Sequence, residues 1–416
     1  MVRLLNAGQI PIYEPFLDAM IQHSCSARTL AFTGQVSEAA LSGEVIFLCV
    51  GIPELDNGES DLSAFDSAAR QIAQAVDSPK FVIERSTVPV KTGQHLSRLL
   101  SVYSGDRKTR FRVAANPQFL RKGTSVQDFL HPDRILFGVE DPESEKTLRD
   151  LYAPILRQDF DCPVHSKTCP PREPPQLLVT DLHSAELIKQ ASNAFLAVKI
   201  SYANVIADLS ERLGADVQEV THAVGLDQRI GSQFLEAGIG FGGSRLPKDL
   251  QAFYRLVERE GVDAGILKAA EEVNHNRIEL FFDKVKRSLW VLKDKRISLL
   301  GLAHKAGTDD VRGSPAIELF RRLKAAGAQV RAYDPRAMSN ASVACPDLVT
   351  SHDPYDAAER ADAVLIVTEW DEFRLLDWER MRVAMDRPLV LDGRNLLSPA
   401  HMKSLGFDYH SVGRPA

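Results

Sequence analysis

The sequence predicts an α/β fold with two Rossmann-like parallel-sheet domains joined by a long central helix. Short apolar runs alternate with segments of helical periodicity in the first 156 residues and again after residue 286. An uninterrupted helical pattern from about Leu182 to Leu213 separates the two regions. Because alternating strands and helices are typical of parallel sheets with helices on both faces, we predict an N-terminal α/β domain at 1–156, an irregular loop at 157–180, a central helical domain at 181–285 and a C-terminal α/β domain at 286–416.

The N-terminal region contains two predicted strands with a helix between them. Glu44–Val50 and Lys80–Glu84 are short apolar runs, and Asp61–Val76 has helical periodicity. Ligands of open α/β sheets usually bind at the loops that follow such strands. The candidate binding loops are therefore Val50-Gly-Ile-Pro53 and Arg85-Ser-Thr-Val-Pro89. No strand followed by G-x-G-x-x-G precedes the first of these strands, so the turn that holds a dinucleotide pyrophosphate is not found in its expected place.

The middle of the chain combines a proline-rich stretch with the long helix. Residues 157–180 include four closely placed prolines, which bar a helix. The helix that follows is apolar enough to bury more than one face. Its polar residues Lys189 and Asn193 are four apart, hence on one face, and by spacing alone a solvated surface pair is the simpler interpretation.

A glycine-rich stretch, Gly238-Ile-Gly-Phe-Gly-Gly-Ser-Arg-Leu-Pro-Lys-Asp249, is the most distinctive part of the sequence. Its glycines allow backbone to approach a ligand closely. Taken alone, such a stretch is about as often a flexible turn. After it, Arg296–His304 reads as a strand and turn, and Ser314–Ala328 as a helix with Ser314 as N-cap. Further strands are predicted at Gln329–Pro335, Ala363–Glu369 and Pro388–Gly393.

The composition excludes several classes of function. The chain has 416 residues, of which 44% are hydrophobic and 25% charged, and a net charge of -6. No general affinity for nucleic acid or an anionic membrane follows from that charge, and no apolar run is long enough for a membrane-spanning helix. The closest of the five cysteines, Cys162 and Cys169, form a poor zinc pattern, so we expect no metal. Scattered cysteines in odd number favour reduced thiols and a cytoplasmic location.

Six motifs occur in one order along the chain. They are Ser86-Thr-Val-Pro89, Asn116-Pro-Gln-Phe-Leu120, Glu186-Leu-Ile-Lys-Gln-Ala-Ser-Asn193, Gly240-Phe-Gly-Gly-Ser244, Gly301-Leu-Ala-His-Lys-Ala-Gly-Thr-Asp-Asp-Val-Arg312 and Asp392-Gly-Arg-Asn395. Together they resemble the UDP-glucose/GDP-mannose dehydrogenase family over essentially the whole chain. The resemblance implies oxidation of the C6 alcohol of a nucleotide sugar to the acid with two NAD molecules, and a homodimer formed through the long helix.

The resemblance also assigns roles to residues. It implies a catalytic group made of Thr87, Gln118, Lys189, Asn193, Arg245 and Asp249. The nucleotide sugar is expected to contact Phe119, Leu120, Arg229, Phe234, Phe241, Gly242, Lys305 and Arg394. NAD is expected to contact Thr87, Pro53 and Arg312. In the family, the lysine and asparagine hold a water and the reacting sugar oxygen, and a cysteine in the glycine-rich loop attacks the aldehyde.

Three departures from the family pattern fall on the oxidation. Arg245 stands at the position of the cysteine, and a guanidinium stays protonated and has no lone pair for attack. Gln118 replaces a carboxylate that serves as acid and base, and an amide cannot carry that proton. About 30 or more residues of the first βαβ unit, which holds NAD in the family, have no counterpart.

These departures predict a nucleotide-sugar-binding protein that cannot complete the oxidation and acts as a regulator or beside an active paralogue. Two alternatives stay open: an active nucleotide-sugar 6-dehydrogenase of the UDP-glucose type, and a redox-neutral enzyme on a nucleotide sugar. A further hypothesis concerns the ligand. Since Arg245 adds a cation and Gln118 removes a carboxylate, the pocket is expected to favour a UDP-hexuronate over UDP-glucose.

Overall fold

The computed structural model describes residues 2–55, 57–105, 110–165 and 173–415. The chain divides into two compact units, the first formed by Met1–Asn193 with Gln251–Gly261 and the second by Ala194–Leu250 with Val262–Ala416. Each unit contains one sheet with helices on both faces. The predicted α/β class with two Rossmann-like sheets is therefore confirmed.

The first unit begins with three helices and then alternates strands with helices. Its elements are α1 (Val2–Asn6), α2 (Leu17–Ser26), α3 (Val36–Ser42), β1 (Val45–Leu48), α4 (Ser63–Ala75), β2 (Lys80–Glu84), α5 (Thr92–Ser104), β3 (Phe111–Ala115), α6 (Ser125–Leu130), β4 (Arg134–Gly138), α7 (Pro142–Leu151), α8 (Ala153–Arg157) and β5 (Gln176–Thr180). The strands form one sheet in the order β1-β2-β3-β4-β5. The two strands and the helix predicted before residue 85 are confirmed as β1, β2 and α4.

Two features of this sheet differ from the sequence prediction. The strands β3 and β4 pair antiparallel, through Ala115 and Gly138, whereas the other neighbours are parallel. The prediction of an irregular loop over 157–180 is wrong at its end, because Gln176–Thr180 forms β5 and pairs with β4. Proline bars a helix but does not prevent an apolar run after the last proline, Pro175, from joining a sheet edge. Residues 166–172 of that predicted loop lie outside the described part of the chain.

The core of the first unit lies on both faces of its sheet. Because successive side chains of a strand point to opposite faces, Val82 packs with α4 and α5 residues such as Phe65 and Leu100, while Phe81 and Ile83 pack with Phe137 on the other face. All five residues of β2 are buried. This burial accounts for the continuous apolar run that made the strand predictable.

The second unit contains the longer helices and a six-stranded sheet. Its elements, some shared with the first unit, are α9 (Leu182–Leu213), α10 (Val217–Gly225), α11 (Leu246–Arg259), α12 (Gly265–Leu289), β6 (Arg296–Leu300), α13 (Pro315–Ala325), β7 (Gln329–Tyr333), α14 (Met338–Ala344), β8 (Val349–Thr350), α15 (Pro354–Ala358), β9 (Ala363–Ile366), α16 (Asp371–Arg374), α17 (Trp378–Ala384), β10 (Leu389–Asp392), α18 (Pro399–Ser404) and β11 (Asp408–Ser411). The boundary between the units falls at Asn193 within α9 and again after Leu250 within α11.

The second sheet is parallel throughout and has the strand order β8-β7-β6-β9-β10-β11. That order reverses direction between β6 and β9, which is the doubly wound pattern. The helix predicted after Ser314 is confirmed as α13, and the Ser314 hydroxyl accepts a hydrogen bond from the Ala316 N–H as an N-cap. The predicted long helix is confirmed as α9, and the later strands as β7, β9 and β10.

Asp334, which follows β7, holds the loops at this edge of the sheet together. Its buried carboxylate accepts hydrogen bonds from the N–H groups of Leu302 and Ala303 after β6, and from the Trp370 indole. In a dinucleotide-binding domain an acidic residue near this place holds a ribose. Here the carboxylate is used by the protein itself, so its role is structural. Among the described residues, no helix combines the length and the apolar character needed to cross a membrane.

Glu84, the last residue of β2, is a buried acid in the first unit. It is 1% exposed, and its Oε2 has no hydrogen-bond partner within the described residues. Burial and the nearby Glu186 carboxylate raise the pKa of Glu84 well above its usual 4.5. Because this pKa is higher in the folded than in the unfolded state, the folded state binds more protons above about pH 4.5, and stability falls as the pH rises through that window.

Replacing this acid with its neutral isostere should reduce the pH dependence of stability. In Glu84→Gln, the free energy of unfolding should fall less between pH 5 and pH 8 than in the wild type, by about 1–2 kcal/mol. The thermal unfolding midpoint should accordingly fall less, by roughly 2–8 °C. Circular dichroism at several pH values measures this. Glu219→Gln, at an exposed position of α10, is the control and should follow the wild type. Parallel curves for Glu84→Gln and the wild type would contradict the assignment.

Candidate functional site

The candidate site in the first unit begins at the loops that follow β1 and β2. The Ser86 hydroxyl donates a hydrogen bond of 2.6 Å to the carbonyl of Val50, so the two predicted binding loops are joined. Thr87 is half-buried beside this contact, and Pro53 is exposed at the end of the first loop. Both residues predicted to contact NAD in this unit thus lie beyond the carboxyl ends of neighbouring parallel strands, where ligands of open sheets bind.

The start of α9 fixes the second of these loops in place. The Glu186 carboxylate accepts hydrogen bonds from the backbone N–H groups of Lys91 and Gly93. One helical turn later, Gln190 Nε2 donates to the carbonyl of Val88. The helix therefore holds the loop that contains Thr87 at two points. Burial raises the pKa of Glu186, although the two N–H donors act in the opposite direction.

Lys189 and Asn193 lie on α9 one turn apart and contact each other. Lys189 Nζ donates to Asn193 Oδ1 at 3.1 Å. Lys189 is only 6% exposed, so the pair is not the solvated surface pair that spacing alone favours. A buried ammonium is costly unless polar or aromatic partners surround it, and its Nζ lies 4.9 Å from the centre of the Phe119 ring. The structure thus brings together three residues that the sequence assigned to the site.

The turn that contains Phe119 is stabilised by its own side chains. Gln118 Oε1 accepts a hydrogen bond of 2.7 Å from the N–H of Leu120, so the amide caps the turn. The Arg134 guanidinium stacks 4.0 Å from the centre of the Phe119 ring. Gln118, Phe119 and Leu120 are all half-buried. A glutamine here keeps the shape of the turn without offering an acid or a base.

In the second unit, the glycine-rich loop is held by hydrogen bonds to its backbone. Asn274 of α12 accepts from the N–H of Phe241 at 2.8 Å and donates to the carbonyl of the same residue at 3.0 Å. Arg394 Nη1 donates to the carbonyl of Gly240, while its Nε donates to the carbonyl of Val367. Arg394 therefore connects the loop to the end of the sheet, and Glu369 lies 3.3 Å from its Nε as an ionic partner.

The loop packs so closely that its glycines leave no room for side chains. A Cβ on Gly242 would lie 2.1 Å from the carbonyl oxygen of Gly313, which is backbone and cannot move aside. Gly243 has φ +86°, and a Cβ there would meet the His304 ring at 2.8 Å. The glycines are thus required by packing within this unit. The interpretation of this stretch as a flexible turn is wrong.

The charged residues after the loop lie in the first turn of α11. Asp249 is 3% exposed and its carboxylate is 3.7 Å from Lys248 Nζ. An acid in the first turn of a helix is stabilised by the helix dipole. Arg245, immediately before the helix, is exposed. Lys189 and Asn193 belong to the first unit, whereas Arg245 and Asp249 belong to the second.

Four further predicted residues of the second unit differ in their surroundings. Arg229 is exposed and pairs with Asp227, and Arg312 is exposed and pairs with Asp310. Each arginine is thus bound to a carboxylate two residues earlier. Phe234 is half-buried with φ +64°, which is the left-handed region, and Lys305 is half-buried.

Sequence reasoning missed Asn274, Glu369 and Arg134 as supporting residues. Asn274 gives no local signal, because an asparagine within a helix pattern is ordinary and its partner Phe241 lies 33 residues away. Glu369 lies three residues beyond the carboxyl end of β9, where ligands of open sheets bind, so its position was an available signal. Arg134 is the first residue of β4, and its position gave no such signal.

The chain is similar to known proteins over its whole length. Residues 1–156, 183–276 and 298–399 match the models of the NAD binding, central and UDP binding domains of the UDP-glucose/GDP-mannose dehydrogenase family. The UDP-glucose 6-dehydrogenase of Pseudomonas aeruginosa is 39% identical over 425 residues, covering 100% of this chain and 90% of that protein. That of Bacillus subtilis is 38% identical, covering 100% and 86%.

The chain is also similar to solved dehydrogenase structures over essentially its whole length. The UDP-glucose dehydrogenase of Pyrobaculum islandicum is 34% identical, with a TM-score of 0.88 and coverage of 100% of this chain and 90% of that one. The UDP-D-ManNAc dehydrogenase of Pyrococcus horikoshii is 27% identical, with a TM-score of 0.82 and coverage of 99% and 91%.

Adding one methyl group to the glycine-rich loop should disrupt it. Gly242→Ala places a Cβ against the Gly313 carbonyl, and relieving this overlap should cost about 1–3 kcal/mol or more. Thermal unfolding of the full chain measures the loss. Gly34→Ala is the matched control, because a Cβ there meets no atom within 4 Å. Equal unfolding midpoints for the two variants would show that the packing is not as tight as described.

Proposed function

Because the chain belongs to the UDP-glucose/GDP-mannose dehydrogenase family, we propose that it is an NAD-dependent dehydrogenase that oxidises the C6 alcohol of UDP-glucose. The relatives named above are UDP-glucose 6-dehydrogenases and match essentially the whole chain. Their similarity supports the active-enzyme alternative better than the loss of activity expected from the three departures. The observation that carries the proposal is the buried Lys189–Asn193 pair over Phe119.

The second unit is proposed to bind the UDP part of the substrate. A diphosphate is recognised by cations and by backbone N–H groups that can approach it closely. Lys305 and Arg394 supply two cations. Phe241 and Gly242 are proposed as substrate contacts because their loop resembles the family motif, since the Phe241 N–H already donates to Asn274. The Arg394 Nη2 is a further donor that has no acceptor within the described part of the chain. Phe234 and Arg229 complete the proposed substrate contacts.

The first unit is proposed to perform the chemistry at C6. Removal of the hydroxyl proton leaves negative charge on the sugar oxygen, and a fixed ammonium stabilises such charge. Lys189 is held in one position by Asn193 and by the Phe119 ring, so it needs little rearrangement to do so. Asp249, a residue of the second unit, is proposed as a further catalytic residue because its loop resembles the family motif. Phe119 and Leu120 are proposed to line the sugar pocket.

The described residues fit the nicotinamide side of NAD, which would accept the hydride from C6. Thr87 and Pro53 lie beyond the ends of β2 and β1, and the hydrogen bond from Ser86 to Val50 holds the two loops together. Gly51 lies in the first loop with open space around its Cα, so a ligand can approach the backbone there. Arg312, a residue of the second unit, pairs with Asp310 and is proposed as a cofactor contact only because its motif resembles that of the family. The pyrophosphate contacts are not assigned to any described residue.

Turnover with UDP-glucose and NAD tests this proposal. NADH should form and be detected by its absorbance, and Lys189→Met should lower kcat by about 10²–10³-fold, because the fixed positive charge at the oxyanion is lost. Lys268→Met is the control, since Lys268 is 62% exposed on α12, and it should retain the wild-type rate. Absence of NADH in the wild type, with UDP-glucose bound, would contradict the proposal.

A second candidate is favoured by Arg245 and Gln118: a protein that binds a nucleotide sugar, or a UDP-hexuronate, without completing its oxidation. The two NADH-forming steps consume the alcohol and then the hydrated or thiol-bound aldehyde, and residue 245 cannot supply the thiol. Counting NADH per UDP-glucose therefore separates the candidates. Two per sugar indicates a complete dehydrogenase, one indicates release of the aldehyde, and none indicates binding alone. If only the nucleophile is missing, Arg245→Cys should raise the count to two.

We also propose that the chain forms a homodimer through α9. Phe195, Tyr202, Leu209 and Leu213 are 64%, 53%, 49% and 72% exposed, and their spacing of seven, seven and four places them along one stripe of the helix. An apolar stripe of this length is typical of an interface.

The four described cysteines are free thiols, which supports a reducing, cytoplasmic location.

Charge on this stripe should prevent dimer formation. The double variant Phe195→Glu and Leu209→Glu is expected to run as a monomer where the wild type runs as a dimer, because two buried charges would face each other across the interface. Light scattering after size exclusion gives the mass. Val343→Glu, at an 83% exposed position of α14, should leave the wild-type mass unchanged. A monomeric wild type would contradict the proposal, or point to a paralogue as the partner.

A further inference from the structure

Three metal-ligating side chains converge in the first unit, away from Lys189 and Asn193 in sequence. His131 follows α6, and Cys162 and His165 lie in the segment after α8. His131 Nε2 is 3.1 Å from Cys162 Sγ, and Cys162 Sγ is 3.3 Å from His165 Nδ1. The three donor atoms all lie within 4.8 Å of one another. His131 is 7% exposed and the other two are half-buried.

The surroundings of His131 determine which of its nitrogens carries the proton. Gln158 Nε2 donates to the carbonyls of Leu130 and Ile155, so its NH₂ group faces these two acceptors and its Oε1 faces His131. Oε1 accepts from His131 Nδ1 at 2.6 Å, so that nitrogen carries the proton. The Nε2 lone pair of the neutral ring is then directed at the Cys162 sulfur. A histidine held by an oxygen on its other nitrogen is the usual arrangement in metal sites.

The donor set suits zinc, and the donor atoms lie near the separations that zinc requires. Zinc binds histidine nitrogen at about 2.0–2.1 Å and cysteine sulfur at about 2.3 Å, so a nitrogen and a sulfur of a tetrahedral site lie roughly 3.5–3.6 Å apart. The two nitrogen–sulfur distances, 3.1 and 3.3 Å, are somewhat shorter, so small side-chain movements bring these donors to zinc-binding separations. Cys162-Pro-Val-His165 also has the short spacing by which one loop supplies two ligands. One thiolate with two imidazoles suits zinc rather than calcium or magnesium, which take oxygen ligands.

We propose that His131, Cys162 and His165 form a zinc site, with water as the fourth ligand. Binding replaces the Cys162 thiol proton, which leaves to solvent as the sulfur–zinc bond forms. The site ties residues 158–165 to the end of α6, where the His131 ring already packs against Phe160 and His165. Its role is to stabilise this part of the first unit. The sequence expectation of no metal rested on Cys162 and Cys169 alone and did not include the histidines.

Metal analysis of the full-length protein tests the site without an activity assay. Protein treated with chelator, loaded with zinc chloride and desalted should retain about one zinc per chain. Cys162→Ser and His165→Ala should each lose it. Cys49→Ser is the matched control, because Cys49 is an exposed thiol after β1 and should retain the metal. Circular dichroism of each variant shows that the fold is kept.

Cobalt gives a second readout that identifies the ligand. Loaded with Co²⁺, the wild type should show the thiolate-to-metal charge-transfer absorption and the visible bands of a tetrahedral site, and Cys162→Ser should lack the charge-transfer absorption. Zinc should also raise the unfolding midpoint of the wild type and leave that of Cys162→Ser unchanged. Zinc retained equally by Cys162→Ser, or not retained by the wild type, would overturn the proposal.

Discussion

The backbone contact between Gly242 and Gly313 is the constraint on which the second unit depends. The two backbone segments approach so closely that Gly242 leaves no room for a side chain, and Asn274 and Arg394 hold the same loop by hydrogen bonds. Because the loop is fixed on the sheet, α11 begins at a defined place. The loop therefore fixes the position of Asp249, which lies in the first turn of α11.

In the first unit, the corresponding constraint is the buried cation of Lys189. Placing an ammonium in a poorly solvated position costs free energy unless its partners are arranged beforehand. Asn193 and the Phe119 ring are such partners, and the Arg134 guanidinium also packs on that ring. The pair is the observation on which the proposed reaction rests.

Most helices and strands were predictable because local sequence patterns determine them. The buried strand β2 shows a continuous apolar run. Ser314 is a typical N-cap residue and so marks the start of α13. The placement of Lys189 and Asn193 on one face follows from helix geometry alone. The antiparallel pairing of β3 and β4, the edge strand β5, and the partnership of Asn274 with Phe241 depend on long-range contacts that leave no local pattern. The same holds for His131, whose partner Cys162 lies 31 residues away.

Binding of both ligands to the same protein tests the central claim most directly. Calorimetric titration of the purified full chain with UDP-glucose, and separately with NAD, measures each affinity without relying on turnover. The account predicts saturable binding of both, because the second unit is proposed to bind the nucleotide sugar and the loops after β1 and β2 are proposed to bind the nicotinamide side of NAD. Binding of UDP-glucose with no detectable binding of NAD would contradict it and leave a nucleotide-sugar-binding protein.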